Sequence, residues 1–275
     1  MTSIQDEGRN GFAYYAIPKS GYIQPSKAQL ANFLVGNPKE NAVIECILIP
    51  PHLSFLDDMN IAITGDNFNF TIAGKKVKHN KTIYVQKGDV LKGSPQKNAH
   101  VAYISLQGKI TAQEHYGSSS TYVNAKLGGM AGQTLLKNDV IHIVNKQINL
   151  INRKVKEDHN LSTTNKVKFY KGPEYHFLSD KTKEDLYTSV FTLSASSNRM
   201  GARLEGKRLN TTKGQLKYSV PVLPGFIQLP PSGQPIVVLN DGQTTGGYPR
   251  IGYIGTADIE KFIGIGKLIK FLSSQ

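Results

Sequence analysis

Short runs of β-branched and aromatic residues, each closed by turn-forming residues, dominate the first half of the chain. Such runs occupy residues 60–64, 68–72, 82–85, 100–105 and 140–144. Glycine-containing turns at 64–67, 73–75 and 87–89 separate them. Short β-prone runs between turns are typical of strands, and no long stretch has helical periodicity. The pattern therefore predicts a mainly β fold.

Helical periodicity is confined to short segments. Residues 26–34 form the one clear early helix, with Ser26 as its expected cap and Asn37-Pro38 as its expected end. A second short helix is expected near 181–187. One or two helical turns at 258–264 are expected before a closing strand at 268–272.

A polar, highly charged segment interrupts both periodicities near the middle of the chain. From 152 to 165 it runs Asn-Arg-Lys-Val-Lys-Glu-Asp-His-Asn-Leu-Ser-Thr-Thr-Asn. Exposed polar segments with few apolar residues commonly join domains. We therefore predict one domain over 1–150, a linker over 151–165 and a second domain over 166–275.

Composition and charge narrow the class of protein. With 26 glycines, 13 prolines and no tryptophan, the 275-residue chain suits many short strands and turns. The single cysteine, Cys46, excludes an internal disulfide and predicts a buried thiol in a reducing compartment. No signal peptide and no apolar stretch of membrane-spanning length is present, so we expect a soluble cytoplasmic protein.

The net charge of +13 raises the possibility of nucleic-acid binding. The lysines are, however, scattered through nearly every segment, and no nucleic-acid-binding motif is present. We expect instead that the charge favours small anionic substrates or an acidic partner surface.

The segment 241–250 is the densest concentration of potential ligand-binding groups. It combines a carboxylate, an amide, two hydroxyls, a phenol and two glycines, with apolar strands on either side. A polar β-turn without function is the alternative. The candidate residues of this loop are Asp241, Gln243, Thr244, Thr245, Gly246, Gly247 and Tyr248.

A second candidate segment lies upstream, at 198–208. Arg199 and Arg203 are four residues apart, a spacing that on a helical turn would let both grip one carboxylate or phosphate. An ion pair with Glu205 or Asp241 is the alternative. Residues 201–208 nearly match a phosphate-binding P-loop, but an arginine stands at 208 where Ser or Thr must hold magnesium, so we reject that assignment.

The sequence gives little support for a metal site or a serine nucleophile. The seven histidines are widely spaced, and no metal-ligand motif occurs, so no metal site is predicted. No serine nucleophile elbow is present. The polar run 117–121 permits either an anion-binding nest or a solvated connection between strands.

Seven segments, in order along the chain, resemble the sequence pattern of one family. They are 2–9, 31–38, 117–121, 127–129, 197–206, 225–236 and 241–249. The last two, which begin Gly225-Phe-Ile-Gln-Leu-Pro-Pro and Asp241-x-Gln-Thr-Thr-Gly-Gly-Tyr-Pro, are long and specific. The chain is identified as resembling the KipA family. That family is also known as allophanate hydrolase subunit 2 or as the C subunit of 5-oxoprolinase, and it is related to the carboxyltransferase half of urea carboxylase.

The resemblance implies two cyclophilin-like β-barrel units with a few short helices. It also implies a KipI-like small subunit as partner, and a third subunit, in a complex that opens 5-oxoproline to glutamate with ATP. ATP would be bound by the complex rather than necessarily by this chain. On that basis Asp241, Gln243 and Thr244 are candidate catalytic residues. The candidate substrate-binding residues are Asn198, Arg199, Arg203, Thr245, Gly246, Gly247 and Tyr248.

Departures from the family pattern leave two alternatives open. Gln24 replaces a family aspartate in the Ser-Gly-x-x-Asp segment, and Ser119 stands where an arginine is common. One alternative is the carboxyltransferase component of a urea carboxylase-like biotin system, for which this chain would need separate partner proteins. The other is a non-catalytic antagonist that binds a KipI-like inhibitor of a histidine kinase, and the loss of these polar groups is its rationale.

Overall fold

The computed structural model describes residues 1–66, 68–97, 99–145, 151–155, 166–265 and 268–273. The chain divides into two compact units, Met1–Arg9 with Ser20–Leu161 and Asn10–Lys19 with Ser162–Gln275. Strands make up 36% and helices 15% of the structure, which confirms the mainly β fold. Among the described helices, none combines the length and the apolarity that crossing a bilayer requires.

In its described residues, the first unit has one α-helix, α1 (Pro25–Val35). Its strands are β1 (Thr2–Gln5), β2 (Val43–Ile47), β3 (His52–Ser54), β4 (Met59–Gly65), β5 (Asn69–Ile72), β6 (Lys75–Lys76), β7 (Thr82–Val85), β8 (Val90–Ser94), β9 (Val101–Leu106), β10 (Lys109–Ile110) and β11 (Ile143–Val144). The helix predicted over 26–34 is confirmed, but its N-cap is Gln24, without a side-chain hydrogen bond, and the expected cap Ser26 lies inside the helix. It begins one residue earlier because Pro25, which lacks a backbone N–H, occupies its first turn, and it ends at Gly36 in a left-handed conformation.

The described strands of the first unit pair antiparallel in three sheets. The largest has the order β1-β2-β9-β4-β7, the second has the order β3-β8-β5-β6, and β10 pairs with β11. Helix α1 packs against β4 and β9. Between the sheets lies an apolar core that includes Ile44, Ile61, Phe70 and Ile104.

Cys46 lies within this core on β2 and is fully buried. Burial raises the pKa of its thiol, and the neighbouring Glu45 adds to that effect. A thiol without an ionised form at neutral pH is a weak nucleophile. The predicted structural, buried role of this residue is confirmed.

Residues 151–155, which the sequence assigns to a linker, hydrogen bond with the first unit. The Arg153 N–H donates to the Thr82 hydroxyl at 3.0 Å, and the Val155 N–H donates to the Asn80 carbonyl at 3.0 Å. Residues 156–165, the rest of that predicted linker, lie outside the described residues. The linker and its bounds stay a prediction.

The described part of the second unit has two α-helices, α2 (Asp180–Thr188) and α3 (Thr256–Ile265). Its strands are β12 (Lys166–Lys171), β13 (Thr192–Leu193), β14 (Gly201–Glu205), β15 (Val220–Pro221), β16 (Phe226–Gln228), β17 (Ile236–Val238), β18 (Thr245–Gly246), β19 (Arg250–Tyr253) and β20 (Lys270–Ser273). Both helices fall where the sequence predicts them. The Ser179 hydroxyl accepts from the Thr182 N–H and caps α2.

Seven strands of the second unit form one sheet with the order β13-β14-β17-β16-β19-β12-β20. Only the pair β12 and β20 is parallel among the described strands. Gly252 on β19 has no room for a side chain, because a Cβ there would lie 2.1 Å from the Phe169 ring. This close approach lets β19 and β12 run side by side over an aromatic layer.

An ion pair holds the start of β19. The Arg250 guanidinium and the Glu174 carboxylate form two side-chain hydrogen bonds, at 2.9 and 2.8 Å, and the Arg250 backbone N–H adds a third at 2.9 Å. Burial alone would raise the pKa of Glu174, but the hydrogen bonds and charge of Arg250 outweigh it and lower that pKa. Because Arg250 directly follows the loop 241–249, this pair fixes where the loop ends.

Glu174→Gln is expected to destabilise the chain by roughly 2 kcal/mol at neutral pH, because it removes a charge-assisted bidentate contact. The contribution of the pair is fully present above the ordinary glutamate pKa of 4.5 and is lost as the pH falls through the lower folded pKa. Urea unfolding of wild type and variant from neutral pH to about pH 3 measures both effects.

Asp180→Asn is the matched control, because Asp180 pairs with Lys183 while its side chain is 99% exposed. An exposed pair of this kind contributes little, so this variant should keep the wild-type pH dependence. If Glu174→Gln and wild type show parallel stability curves down to acid pH, the assigned role of this pair is wrong.

Candidate functional site

A buried ion pair joins the two segments that the sequence singles out. The Arg199 Nε donates to Asp241 Oδ2 at 2.8 Å, and its Nη2 donates to Asp241 Oδ1 at 3.1 Å. The two side chains are 3% and 8% exposed. Both carboxylate oxygens are therefore engaged by one guanidinium, in the fork geometry that matches arginine to carboxylate. The alternative interpretation of Arg199, an ion pair with Asp241, is confirmed.

Backbone contacts tighten the same junction. The Asp241 N–H donates to the Arg199 carbonyl at 3.0 Å, and the Leu239 N–H donates to the Met200 carbonyl at 3.0 Å. Gly242 follows, and a Cβ there would lie 2.4 Å from the Val238 side chain and 2.8 Å from the Met200 carbonyl oxygen. Only glycine fits at this position, so the turn at 241–242 packs directly against the turn at 198–201.

The interpretation of Arg199 and Arg203 as neighbours on one helical turn is wrong. Arg203 lies in strand β14, where it pairs in register with Ile236 of β17. Apolar residues at 202 and 204 of β14 face the core, and this alternation leaves Arg203 exposed. Within the described residues, its guanidinium has no hydrogen-bond partner. Arg203 is thus available to a ligand at the surface, whereas Arg199 is committed to Asp241.

Asn198 is exposed and stabilises the turn before β14. Its side-chain Oδ1 accepts from the Met200 N–H at 2.9 Å, and its backbone exchanges two hydrogen bonds with Gly201. These bonds do not use the Nδ2 group of Asn198, and within the described residues no acceptor pairs with it. An amide held by its own oxygen is a well-oriented donor for a carbonyl or carboxylate.

Gln243 is exposed but anchored to a residue that the sequence analysis missed. Its Nε2 donates to Oε1 of Gln228 at 2.8 Å. Gln228 lies in β16 and is 1% exposed, and its own Nε2 has no acceptor within the described part of the chain. The signal for it was present, since one amide interrupts the apolar run of the 225–236 motif.

Gly246 lies directly over that amide. A Cβ at Gly246 would stand 2.7 Å from Nε2 of Gln228. Gly247, in contrast, has open space where a side chain would be. The first glycine is needed for close packing, and the second leaves the loop surface accessible.

The rest of the loop is held by backbone hydrogen bonds. Strand β18, which contains Thr245 and Gly246, pairs with β15. The Thr244 carbonyl accepts from Val222 at 2.8 Å. Thr245 is exposed, whereas Thr244 and Tyr248 are half-buried. The loop is therefore a fixed surface that presents Gln243 and Thr245.

In the first unit, the serines of 117–121 bind the carboxylate of Asp6. The hydroxyls of Ser118 and Ser120 each donate to Asp6 Oδ1 at 2.6 Å, and the Ser119 N–H donates to Asp6 Oδ2 at 2.6 Å. Short contacts of this kind are typical of charge-assisted bonds. Of the two interpretations, a solvated connection is wrong for Ser118–Ser120, which are buried. The nest exists, and Asp6 occupies it.

The second unit thus places an internal brace beneath a polar surface. Arg199 and Asp241 form the brace. Asn198 and Gln243 are exposed in the two segments that it joins, and Arg203 and Thr245 are exposed in β14 and β18. Over the described ranges, no three His, Cys, Asp or Glu residues lie close enough to hold a metal ion. Such an arrangement can orient a small anionic or carbonyl-bearing ligand through side-chain hydrogen bonds.

Comparison with known proteins places the chain in a family. The family model described as "Carboxyltransferase domain, subdomain A and B" matches residues 15–271. An Escherichia coli (strain K12) protein, named as the C subunit of 5-oxoprolinase, is 33% identical over 98% of this chain and 87% of its own length.

Solved structures give the same fold. The crystal structure of TTHA0988 superposes with a TM-score of 0.87 at 23% identity and covers all of this chain, which spans about half (53%) of the length of that protein. The Kluyveromyces lactis urea amidolyase superposes with a TM-score of 0.86 at 25% identity, over 100% of this chain and 18% of its own. The family predicted from the sequence motifs is confirmed, and the chain belongs to the carboxyltransferase-domain family that includes the C subunit of 5-oxoprolinase.

Proposed function

We propose that this chain is one subunit of a 5-oxoprolinase-type complex, which opens 5-oxoproline to glutamate with ATP. The observation that carries the proposal is the match over nearly the whole chain to a protein named as the C subunit of 5-oxoprolinase. Because that name refers to one subunit of a larger enzyme, the proposal includes partner subunits. A KipI-like small subunit and a third subunit are the expected ones, and ATP is bound by the complex.

The surface around the 241–249 loop suits the proposed substrate. 5-Oxoproline is a compact ring with one carboxylate and one lactam carbonyl. Arg203 is an exposed cation for the carboxylate, and Asn198 offers an amide donor for the carbonyl oxygen. Thr245 and Gln243 add hydrogen bonds at the same loop, while Gly247 leaves room for the ring.

The proposed reaction has a balanced sequence of bonds. The lactam oxygen takes the γ-phosphoryl group of ATP and ADP leaves. Water adds to the activated carbon, the ring C–N bond breaks with a proton passing to nitrogen, and a second water releases phosphate. The role of this chain is to hold the ring and stabilise charge on its oxygen. Asp241 orients the loop through Arg199, since both of its oxygens are engaged by that arginine.

A second function has a specific observation in its favour. The matching family model describes a carboxyltransferase domain, and the Kluyveromyces lactis relative is a urea amidolyase. Under that alternative the same surface would hold a small amide while a carboxyl group arrives on biotin carried by a partner protein. The two alternatives share a ligand class, a small carbonyl compound, and differ in the partner.

We expect the chain, purified with its partner subunits, to release glutamate and phosphate from 5-oxoproline and ATP. Arg203→Ala should lower kcat/KM at least about tenfold, because a charged contact to the carboxylate is lost. Arg208→Ala is the matched control, since Arg208 is also an exposed arginine but lies beyond β14. Its activity should equal that of the wild type.

Each other outcome of this assay has a defined meaning. Absence of product with all partners present would refute the oxoprolinase proposal. Carboxyl transfer from carboxybiotin to urea, without glutamate formation, would favour the second function. A stable complex with the small subunit and no turnover of either kind would favour the non-catalytic antagonist.

Loss of the Arg199–Asp241 pair is expected to lower the free energy of unfolding of the chain. Arg199→Ala and Asp241→Ala are each expected to destabilise the chain by about 3–5 kcal/mol, because each leaves a buried charge without its partner. Arg203→Ala should change stability by no more than about 0.5 kcal/mol. Urea unfolding of the three variants measures this contrast. A stability loss below about 1 kcal/mol for both members of the pair would show that they do not brace the loop.

A further inference from the structure

The first unit contains an open groove of about 1000 Å³ that is separate from the serine nest. Its two walls are continuous stretches of chain, residues 49–57 and 134–143, and every residue of both stretches lines it. Its floor includes Ile44, Met59 and Leu106, which belong to the apolar core.

The groove runs along the edge of a sheet. Successive side chains of a strand point to opposite faces, so a cavity on one face would contact only every second residue. Strand β3 nevertheless lines the groove with all three of its residues. It is the outermost strand in the order β3-β8-β5-β6. The groove therefore lies beside the edge of β3 rather than above one face.

The hydrogen-bond pattern shows which backbone groups this edge presents. The Gly93 N–H donates to Pro51 and the Phe55 N–H donates to Asp89, so residues 51 and 55 bond toward β8. Antiparallel pairing alternates between bonded and non-bonded residues. Given the register His52↔Lys92 and Ser54↔Val90, the N–H and C=O groups of His52 and Ser54 point away from β8. Within the described residues, nothing pairs with them.

The rim of the groove is unusually apolar for a surface. Ile49 is 64% exposed, Leu56 is 65% exposed and Leu136 is 61% exposed. Exposed large apolar side chains gathered around one cavity indicate a binding surface. Val140, at 48% exposed, continues the same rim.

The charge of the groove lining limits the kinds of ligand that the groove can bind. Its ionisable side chains are Asp57, Asp139, Lys137, His52 and His142, which nearly balance in a chain with a net charge of +13. A nearly neutral lining does not favour a polyanion. The outward backbone groups of His52 and Ser54 need hydrogen-bond partners that are spaced as in a β-strand. A compact apolar molecule has no such groups.

We propose that this groove binds an extended, largely uncharged apolar segment of a partner polypeptide, which adds a strand to the outer edge of β3. Main-chain bonds to His52 and Ser54 hold the segment, and alternate side chains enter the apolar floor. The inference does not depend on the proposed reaction, because it concerns a different unit and a different ligand.

Affinity selection with synthetic peptides tests the proposal. The probe is a mixture of nine-residue peptides with Val, Ile, Leu or Phe at every second position and Thr or Ser at the others. The full chain is incubated with the mixture, and retained peptides are identified by mass spectrometry. The wild type is expected to retain a defined subset, with protection of the Ser54 amide from hydrogen exchange.

Ser54→Pro is the decisive variant. Proline removes the outward N–H of Ser54, and β3 keeps its bonds to β8 because those use residues 51, 53 and 55. Binding of the best peptide should weaken at least about tenfold in Ser54→Pro and stay within about twofold in the matched control Ser54→Thr. The same peptide with N-methylated backbone amides should not bind.

A variant of the rim keeps the test valid if Ser54→Pro fails to fold. Ile49→Lys places a charge on an exposed apolar position and should weaken the same peptide by about tenfold. Retention of no peptide, equal binding by Ser54→Pro, or binding of the N-methylated peptide would overturn the proposal. Concentration-dependent dimerisation that Ser54→Pro abolishes would overturn it in favour of pairing between two copies of this chain.

Discussion

The candidate site depends on one buried ion pair. Arg199 and Asp241 are 42 residues apart in sequence, and each would be costly to bury alone. Their bidentate contact satisfies both charges, and the backbone bond from Asp241 to Arg199 fixes the distance between their turns. Because neither turn can move without breaking this contact, the exposed side chains of both turns are held in one arrangement. The brace itself is buried, so its charged groups are not available to a ligand.

The sequence predicts well those features that local chemistry determines. Helix α1 was recognisable by its apolar face and by Asn37-Pro38 after it, although the structure ends it at Gly36. Most short strands of the first unit were recognisable as runs of β-branched and aromatic residues between turns, although the run at 140–144 forms only the two-residue strand β11. The polar loop after β17 was recognisable by composition, because a carboxylate, an amide and hydroxyls have no place in a core strand.

Features that depend on distant pairing were not predictable in the same way. The four-residue spacing of Arg199 and Arg203 suggested a helix, but alternation along β14 separates their roles. Nothing local relates Glu174 to Arg250, and the two residues meet only because β19 begins beside the turn at 174. An anion-binding nest was one of two interpretations of the serine run, and no periodicity could show that Asp6 fills it. The fold determines which distant residues pair, and the sequence motifs show only which residues are candidates for a site.

A shared fold leaves the reaction open, because function depends on the groups at a site. Relatives with the same fold have different names, one belonging to 5-oxoprolinase and another to urea amidolyase. Under the proposed function, Arg203 and Asn198 are the exposed groups that would distinguish a carboxylate-bearing ring from a simple amide. The internal brace could serve either chemistry without change.

Cys46 gives the molecule a natural reporter. It is the sole cysteine, it is completely enclosed on β2, and burial keeps its thiol protonated. A maleimide or disulfide reagent can therefore reach Cys46 only after the structure around the largest sheet of the first unit has opened. The labelling rate measures how often that sheet opens under native conditions, with no engineered probe.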